Sequence, residues 1–203
     1  MKLYGAPMPA PNPRRVRIFL AEKGVEVEEV PIDLMRRQHK SPEHQARNPL
    51  GQVPTLELDD GRTISETVSI CRYLEAVHPR PPLFGADAFD SATIDMWIRR
   101  VELVLMAPVG NYWRHAHPRT AALINQFKDF GQSNAERYAE AQRWFDGQLG
   151  EQAFIAGAAY SMADICALTT VDFAGWIGLP LESDCARLIA WRDRVTARPS
   201  AKA

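Results

Sequence analysis

Cysteine is scarce: Cys71, Cys166 and Cys185 are the three in 203 residues, far apart, with no CxxC pair and no matching pair of histidines. That spacing fits neither a disulfide framework nor a zinc site, and predicts buried free thiols in a reducing compartment. Basic excess is also missing. Twenty-four Lys and Arg stand against 25 Asp and Glu, a formal charge of -1, so nothing would draw a phosphate backbone and nucleic acid is not an expected partner. No run of about 18 apolar residues occurs, and the opening MKLYGAPMPAP has one basic residue and no apolar leader core. The expectation is a cytoplasmic chain with no membrane contact. What is present is ordinary globular stock, 46% hydrophobic and 24% charged, enough for one large domain or two small ones.

Lys2-Leu3-Tyr4 is strand-like and ends at Gly5, after which Pro7, Pro9, Pro11 and Pro13 forbid both helix and ladder. Asn12-Pro13 then reads as an N-cap with proline at the first helical position, and Lys23-Gly24 as the stop. Val25 to Ile32 alternates with period two as a second strand, giving a βαβ unit with a right-handed crossover. Pro42 to Ala46 holds a short helix. Val53 to Leu58 and Arg62 to Ile64 flank the turn signal Asp59-Asp60-Gly61 as an antiparallel pair. Ser65 can cap a helix carrying Val68, Cys71, Leu74 and Val77, ending before His78-Pro79. Arg80 to Gly85 is rich in proline and glycine and reads as a linker. Beyond it the pattern is helical throughout, over about 87–107, 119–148, 161–176 and 184–197. Ser161-Met162-Ala163-Asp164 reads as a capping box, with Tyr160 and Ile165 as its hydrophobic staple.

Several stretches, in order and spacing, resemble the cytosolic glutathione transferases, most closely their theta-like bacterial members. They are Leu3-Tyr4-Gly5 running into Arg14 through Gly24, Asn48-Pro49-Leu50-Gly51-Gln52-Val53-Pro54-Thr55-Leu56, and Ile64-Ser65-Glu66-Thr67-Val68. Gly157 through Ile165 resembles the family's C-domain capping segment, and Trp191 through Pro199 its terminal helix. The resemblance implies an α/β plus all-α fold: a thioredoxin-like βαβ-ββα domain at 1–79 that binds glutathione, a linker at 80–86, and an all-helical domain at 87–203. It implies glutathione as co-substrate, no metal, a homodimer, and a detoxifying enzyme that turns the glutathione thiolate on a small hydrophobic electrophile, a peroxide or a disulfide.

Residue by residue, the resemblance implies a cis Val53-Pro54 bond, with the Val53 backbone pairing the cysteinyl part of glutathione like an added strand. Glu66 and Thr67 would take the γ-glutamyl ammonium and carboxylate at a helix N-terminus, where free N–H groups and the dipole suit an anion. Glu66 alone would equally serve as a partner of that dipole. His39, Lys40 and Gln52 are the alternatives for the glycine carboxylate. Met8, Met106, Tyr112, Trp113 and His115 could line an electrophile pocket or belong to the core. His115 and His117, two apart, would face different ways on a helix, against a metal site.

The sulfur end departs from the family. Its usual Tyr, Ser or Cys donor is missing: no serine, threonine or cysteine lies between Met1 and Gly24, and Ala10 takes the serine position. Tyr4 sits in a strand and reads as core. Asn12 remains, either as an amide donor to the sulfur or as a cap, alongside the backbone amides of Ala10 and Asn12. A non-catalytic glutathione- or ligand-binding protein of the same fold is the alternative reading.

Overall fold

The computed structural model describes all 203 residues, in two compact units: Met1–Leu83 with Pro199–Ala203, and Phe84–Arg198. In the first, β1 (Lys2–Gly5) pairs parallel with β2 (Glu28–Pro31) and antiparallel with β3 (Thr55–Glu57), which pairs antiparallel with β4 (Thr63–Ser65). The sheet order β2-β1-β3-β4 is that of a βαβ unit joined to a ββα unit. The helices are α1 (Pro11–Lys23), α2 (Pro42–Arg47) and α3 (Thr67–Val77). Gly24 closes α1 at φ 64°, the left-handed stop its position predicts.

Two helix starts differ from the sequence reading. Helix α1 opens earlier than Asn12-Pro13 suggests, with Ala10 at the N-cap and Pro11 at the first position. Proline is tolerated throughout a first turn because the N–H it lacks has no helical partner there. Helix α3 is capped by Glu66 rather than Ser65, because Ser65 is held in β4 opposite Thr55.

Leu3, Val16, Ile18, Phe19, Leu56, Ile70, Cys71 and Leu74 fill the core of this unit. Strand alternation turns Tyr4 away from Leu3, toward α2, where Arg47 lies 4.4 Å above its ring. The Tyr4 hydroxyl donates to Glu57 at 3.1 Å, and Glu57 also accepts from Arg47 Nε at 2.8 Å. The chain's last turn, Pro199–Lys202, belongs here too: buried Arg14 donates to the Ala201 carbonyl at 2.7 Å, and the Ser200 hydroxyl to Glu22.

The second unit is helical. Helix α4 (Ala88–Arg100) continues through a π-helical stretch, Val101–Met106, into α5 (Ala107–His115). The sequence reading ends this helix at about 107, one residue before Pro108, which cannot donate to the preceding turn. The wider π turn absorbs that missing bond and the helix runs on. After it, α6 (Lys128–Leu149) begins later than expected, since Pro118 to Gln126 instead cover the end of α5. There the Thr120 hydroxyl and the Gln126 amide donate to the Trp113, Arg114 and His117 carbonyls. Gly131 lets α6 cross α5 closely, for a Cβ there would stand 2.6 Å from the Ala116 nitrogen.

Helix α7 (Met162–Trp176) is buried at every residue from Met162 to Val171, and α8 (Ala186–Thr196) completes the unit. The three cysteines are buried and none is in a disulfide. No helix is long and apolar enough to cross a membrane.

The capping box forms, and it reaches further than its own helix. Asp164 accepts from the Ser161 N–H at 2.9 Å and hydroxyl at 3.1 Å, from the Ile155 N–H at 2.8 Å and from Trp191 Nε1 at 2.8 Å. Burial pushes its carboxyl from 3.8 up to about 6, against the pull of those four donors. Asp164→Ala leaves several buried donors unpaired and should cost about 3 kcal/mol or more in urea unfolding. Because the folded carboxyl holds its proton more tightly than the unfolded one, this group's contribution is full below the unfolded value of 3.8 and declines as pH rises through about 6. Asp164→Asn should flatten that decline.

Candidate functional site

The sheet, α1 and α3 bring their ends together around a small cavity of about 30 Å³ lined by Asn12, Asn48, Gln52, Val53, Pro54, Glu66 and Thr67. Six of the eight site residues expected from sequence therefore meet there. His39 and Lys40 lie outside the lining but beside it: a Cβ on Gly51 would come 2.7 Å from the His39 carbonyl and 3.0 Å from the Lys40 side chain. Glycine is required there on that ground and by its φ of 56°. Lys40 Nζ donates to the Leu50 carbonyl at 2.8 Å. Burial, then the neighbouring charges of Lys40, His44 and Arg37, hold the His39 imidazole below its usual range, so it is uncharged at neutral pH.

At the start of α3 the side chain of Thr67, itself buried, makes no hydrogen bond within the chain, and the first-turn N–H groups have no helical partner. Glu66 precedes it, exposed, with φ 69° and ψ 119°, and its carboxylate pairs with nothing. A residue with a Cβ held in that region is strained by about 1–3 kcal/mol. An unpaired carboxylate beside an unfilled helix N-terminus places acceptors next to donors, which suits a zwitterionic ligand.

Val53 lies between these groups. The Val53-Pro54 bond is cis, as are Met8-Pro9 and Arg80-Pro81. Neither the Val53 N–H nor its carbonyl has a partner within the chain. Asn48, absent from the sequence-derived site, lines the cavity and donates to the Gln52 carbonyl at 3.0 Å. The signal for it was the Asn48-Pro49-Leu50-Gly51 run itself.

The start of α1 has few donors. Of the four N–H groups that a helix leaves free at this end, Pro11 and Pro13 supply none, and the Ala10 N–H is already bound to the Pro7 carbonyl at 3.2 Å. The expectation of a free Ala10 amide is thereby corrected. Asn12 alone supplies a free backbone N–H here, and its side chain, no longer a cap, makes no bond within the chain. Tyr4 is buried with its hydroxyl committed to Glu57 and lies outside the cavity lining.

In the helical unit the residues considered for a second pocket take part in packing contacts. Trp113 packs against Phe173, Trp176 and His117, His115 against Phe127 and Phe130, and the Met106 sulfur lies 3.6 Å from the Thr170 hydroxyl. A larger open groove of about 430 Å³ runs past Leu103, Val104, Pro108, Ala141 and Trp144. It contains none of the expected site residues. No group of three or more His, Cys, Asp or Glu side chains is arranged to hold a metal ion.

Residues 1–76 match the glutathione S-transferase N-terminal domain and residues 120–199 the C-terminal domain of the same family. The chain belongs to the glutathione S-transferase family. Glutathione S-transferase 2 of Saccharomyces cerevisiae is 38% identical over 206 residues, covering 100% of this chain and 88% of the relative. The crystal structure of Gtt2 from the same yeast superposes with a TM-score of 0.93 over 100% of this chain and 99% of that one, at 38% identity. That of a glutathione S-transferase domain-containing protein from Marinobacter aquaeolei gives 0.92 over 98% and 99%, also at 38% identity.

The strain at Glu66 is measurable without any ligand. Glu66→Gly and Glu66→Ala both remove the carboxylate, but only glycine relaxes at positive φ. The glycine variant should unfold with a free energy about 1–2 kcal/mol higher than the alanine variant; equal stabilities would show that the backbone there carries no strain.

Proposed function

We propose that this transferase-family chain binds glutathione across the cavity between the ends of α1 and α3 and turns its thiolate on an electrophile, a peroxide or a disulfide. One observation carries the reading: the Glu66 carboxylate, the Thr67 hydroxyl and helix end, the Val53 peptide groups and the Asn12 amide line one cavity, and none is satisfied within the chain. Buried or half-buried polar groups are ordinarily paired, so the three such groups at Thr67, Val53 and Asn12, with the exposed Glu66 carboxylate at their edge, describe the outline of a polar ligand. The γ-glutamyl ammonium and carboxylate fit Glu66 and Thr67, and the cysteinyl backbone fits Val53. The glycine carboxylate fits the side of His39, Lys40 and Gln52, where Lys40 supplies charge and neutral His39 a hydrogen bond. The family reading also brings with it a homodimer.

At the sulfur, Asn12 is the assigned donor, through its side-chain amide and its single free N–H, with the α1 dipole adding about 0.3–1 kcal/mol. Ala10, at the N-cap, has no hydroxyl to offer. That same fact favours a second reading, a protein that holds glutathione and activates it little. Retention on a glutathione column followed by assays with an aryl halide, an organic peroxide and a mixed disulfide separates the two.

Glu66→Ala or Thr67→Ala should weaken glutathione binding by about 1–3 kcal/mol, the scale of a hydrogen bond to a charged group. Unchanged affinity by calorimetry places the γ-glutamyl end elsewhere. A free thiol titrates near about 8.5, and each tenfold gain in its ionisation takes about 1.4 kcal/mol of preferential thiolate binding. In ultraviolet titration of the bound thiolate, Asn12→Ala should raise the midpoint and Ala10→Ser should lower it. A midpoint unmoved by Asn12→Ala leaves the backbone N–H and the helix dipole as the activating groups.

A further inference from the structure

His44 on α2 is only 2% exposed and lies outside the cavity lining, with a ring nitrogen pointed at the turn that forms the cavity floor. Its Nε2 lies 2.8 Å from the Gln52 carbonyl oxygen. A carbonyl can only accept, so Nε2 carries the proton. Two further donors reach the same oxygen, Asn48 Nδ2 at 3.0 Å and, more weakly, the Thr55 hydroxyl at 3.5 Å. His44 Nδ1 is buried without a partner, so this bond is the ring's single polar commitment. The backbone of α2 fixes the ring's place, since the Ser41 hydroxyl caps the helix by accepting from the His44 N–H at 3.2 Å.

A carbonyl anchored from below has a consequence above. The Gln52–Val53 peptide is planar and trans, so its C=O and N–H point in opposite directions. Holding the Gln52 oxygen inward against α2 aims the Val53 N–H outward, on the cavity side, where it has no partner within the chain. Released from its shortest donor, the oxygen is held by Asn48 and the weaker Thr55 contact alone, and the outward N–H is less firmly aimed.

We propose that His44 is a positioning residue for glutathione, orienting the Val53 N–H through the Gln52 carbonyl. The proposal rests on the glutathione reading above. It assigns to a buried histidine with no ligand contact a share of the affinity, supplied in advance as order in the turn. His44 contributes through geometry alone: it neither touches the tripeptide nor exchanges a proton with it.

Side-chain length supplies the test. The amide nitrogen of glutamine falls near the place of His Nε2, whereas that of asparagine falls near Nδ1 and cannot reach the carbonyl. His44→Gln should keep KM for glutathione within about twofold of wild type. His44→Asn should raise it about tenfold, with kcat at saturating glutathione changed less than about twofold, and calorimetric Kd should follow KM. A merely structural role would lower the concentration of folded protein and leave KM unmoved. His44→Asn binding glutathione within about twofold of wild type overturns the proposal while leaving the glutathione reading intact. Wild-type protein that takes up no glutathione overturns both. If His44→Asn does not fold, His44→Gln still decides: retained KM supports the assignment, and an approximately tenfold rise in a folded His44→Gln variant refutes it.

Discussion

The Gln52 carbonyl is the point on which the site is hung. Three side chains from α2, its following loop and β3 converge on that one oxygen, and all three are buried. A carbonyl has two lone pairs, so it is fully subscribed, and pulling it free would strand donors in the interior at a cost of about 1–3 kcal/mol each. The anchor fixes where β3 begins, because Thr55 is both a donor to it and the first residue of the strand, opposite Tyr4 on one side and Ser65 on the other. The register of β4 follows, and with it the residue at which α3 can start.

That chain of dependence explains the backbone at Glu66. With Ser65 held in the ladder and Thr67 already helical, one residue must turn the chain from strand to helix. Glutamate does so at positive φ, where glycine or asparagine would be easier. A carboxylate kept at such a position despite the strain marks a place where the side chain matters more than backbone comfort, which is the usual sense of strain at a binding site. The absence of any side-chain cap points the same way, since a serine or aspartate bonded to the helix end would occupy the N–H groups that a ligand carboxylate needs.

Much of this was legible in the sequence because local chemistry decided it. The Asp59-Asp60-Gly61 turn, Gly24 as a stop and the Ser161-Asp164 box depend on residues a few positions apart, and each forms; the period-two run of Val25 to Ile32 yields a strand only over Glu28–Pro31, with Glu28 and Glu29 both exposed. The misjudged boundaries have tertiary causes. Ser65 is a better cap than Glu66 by propensity, but sheet pairing claims it. Pro108 should end a helix, but a π turn carries the helix past it. The helical period over 119–127 is real, yet Thr120 and Gln126 commit their polar groups to the carbonyls of α5 instead. The anchoring of Gln52 was invisible for the same reason: nothing in the identity of His44 says which carbonyl its ring will meet.

The two helix N-termini at the cavity are unequal, and the inequality separates holding a ligand from activating it. Both have the positive end of a helix dipole. Helix α3 offers its first-turn N–H groups and a free hydroxyl, while α1 has lost two N–H groups to proline and a third to the Pro7 carbonyl. A hydrogen bond to a charged group contributes about 1.5–3 kcal/mol, which moves the titration midpoint of a thiol by roughly one to two pH units. On the proposed reading, one missing hydroxyl at Ala10 therefore changes the ratio of thiolate to thiol in bound glutathione about ten- to hundredfold without touching the contacts that retain it. On that reading affinity and thiolate chemistry are set by different helices, and a chain can keep the first nearly whole while giving up much of the second.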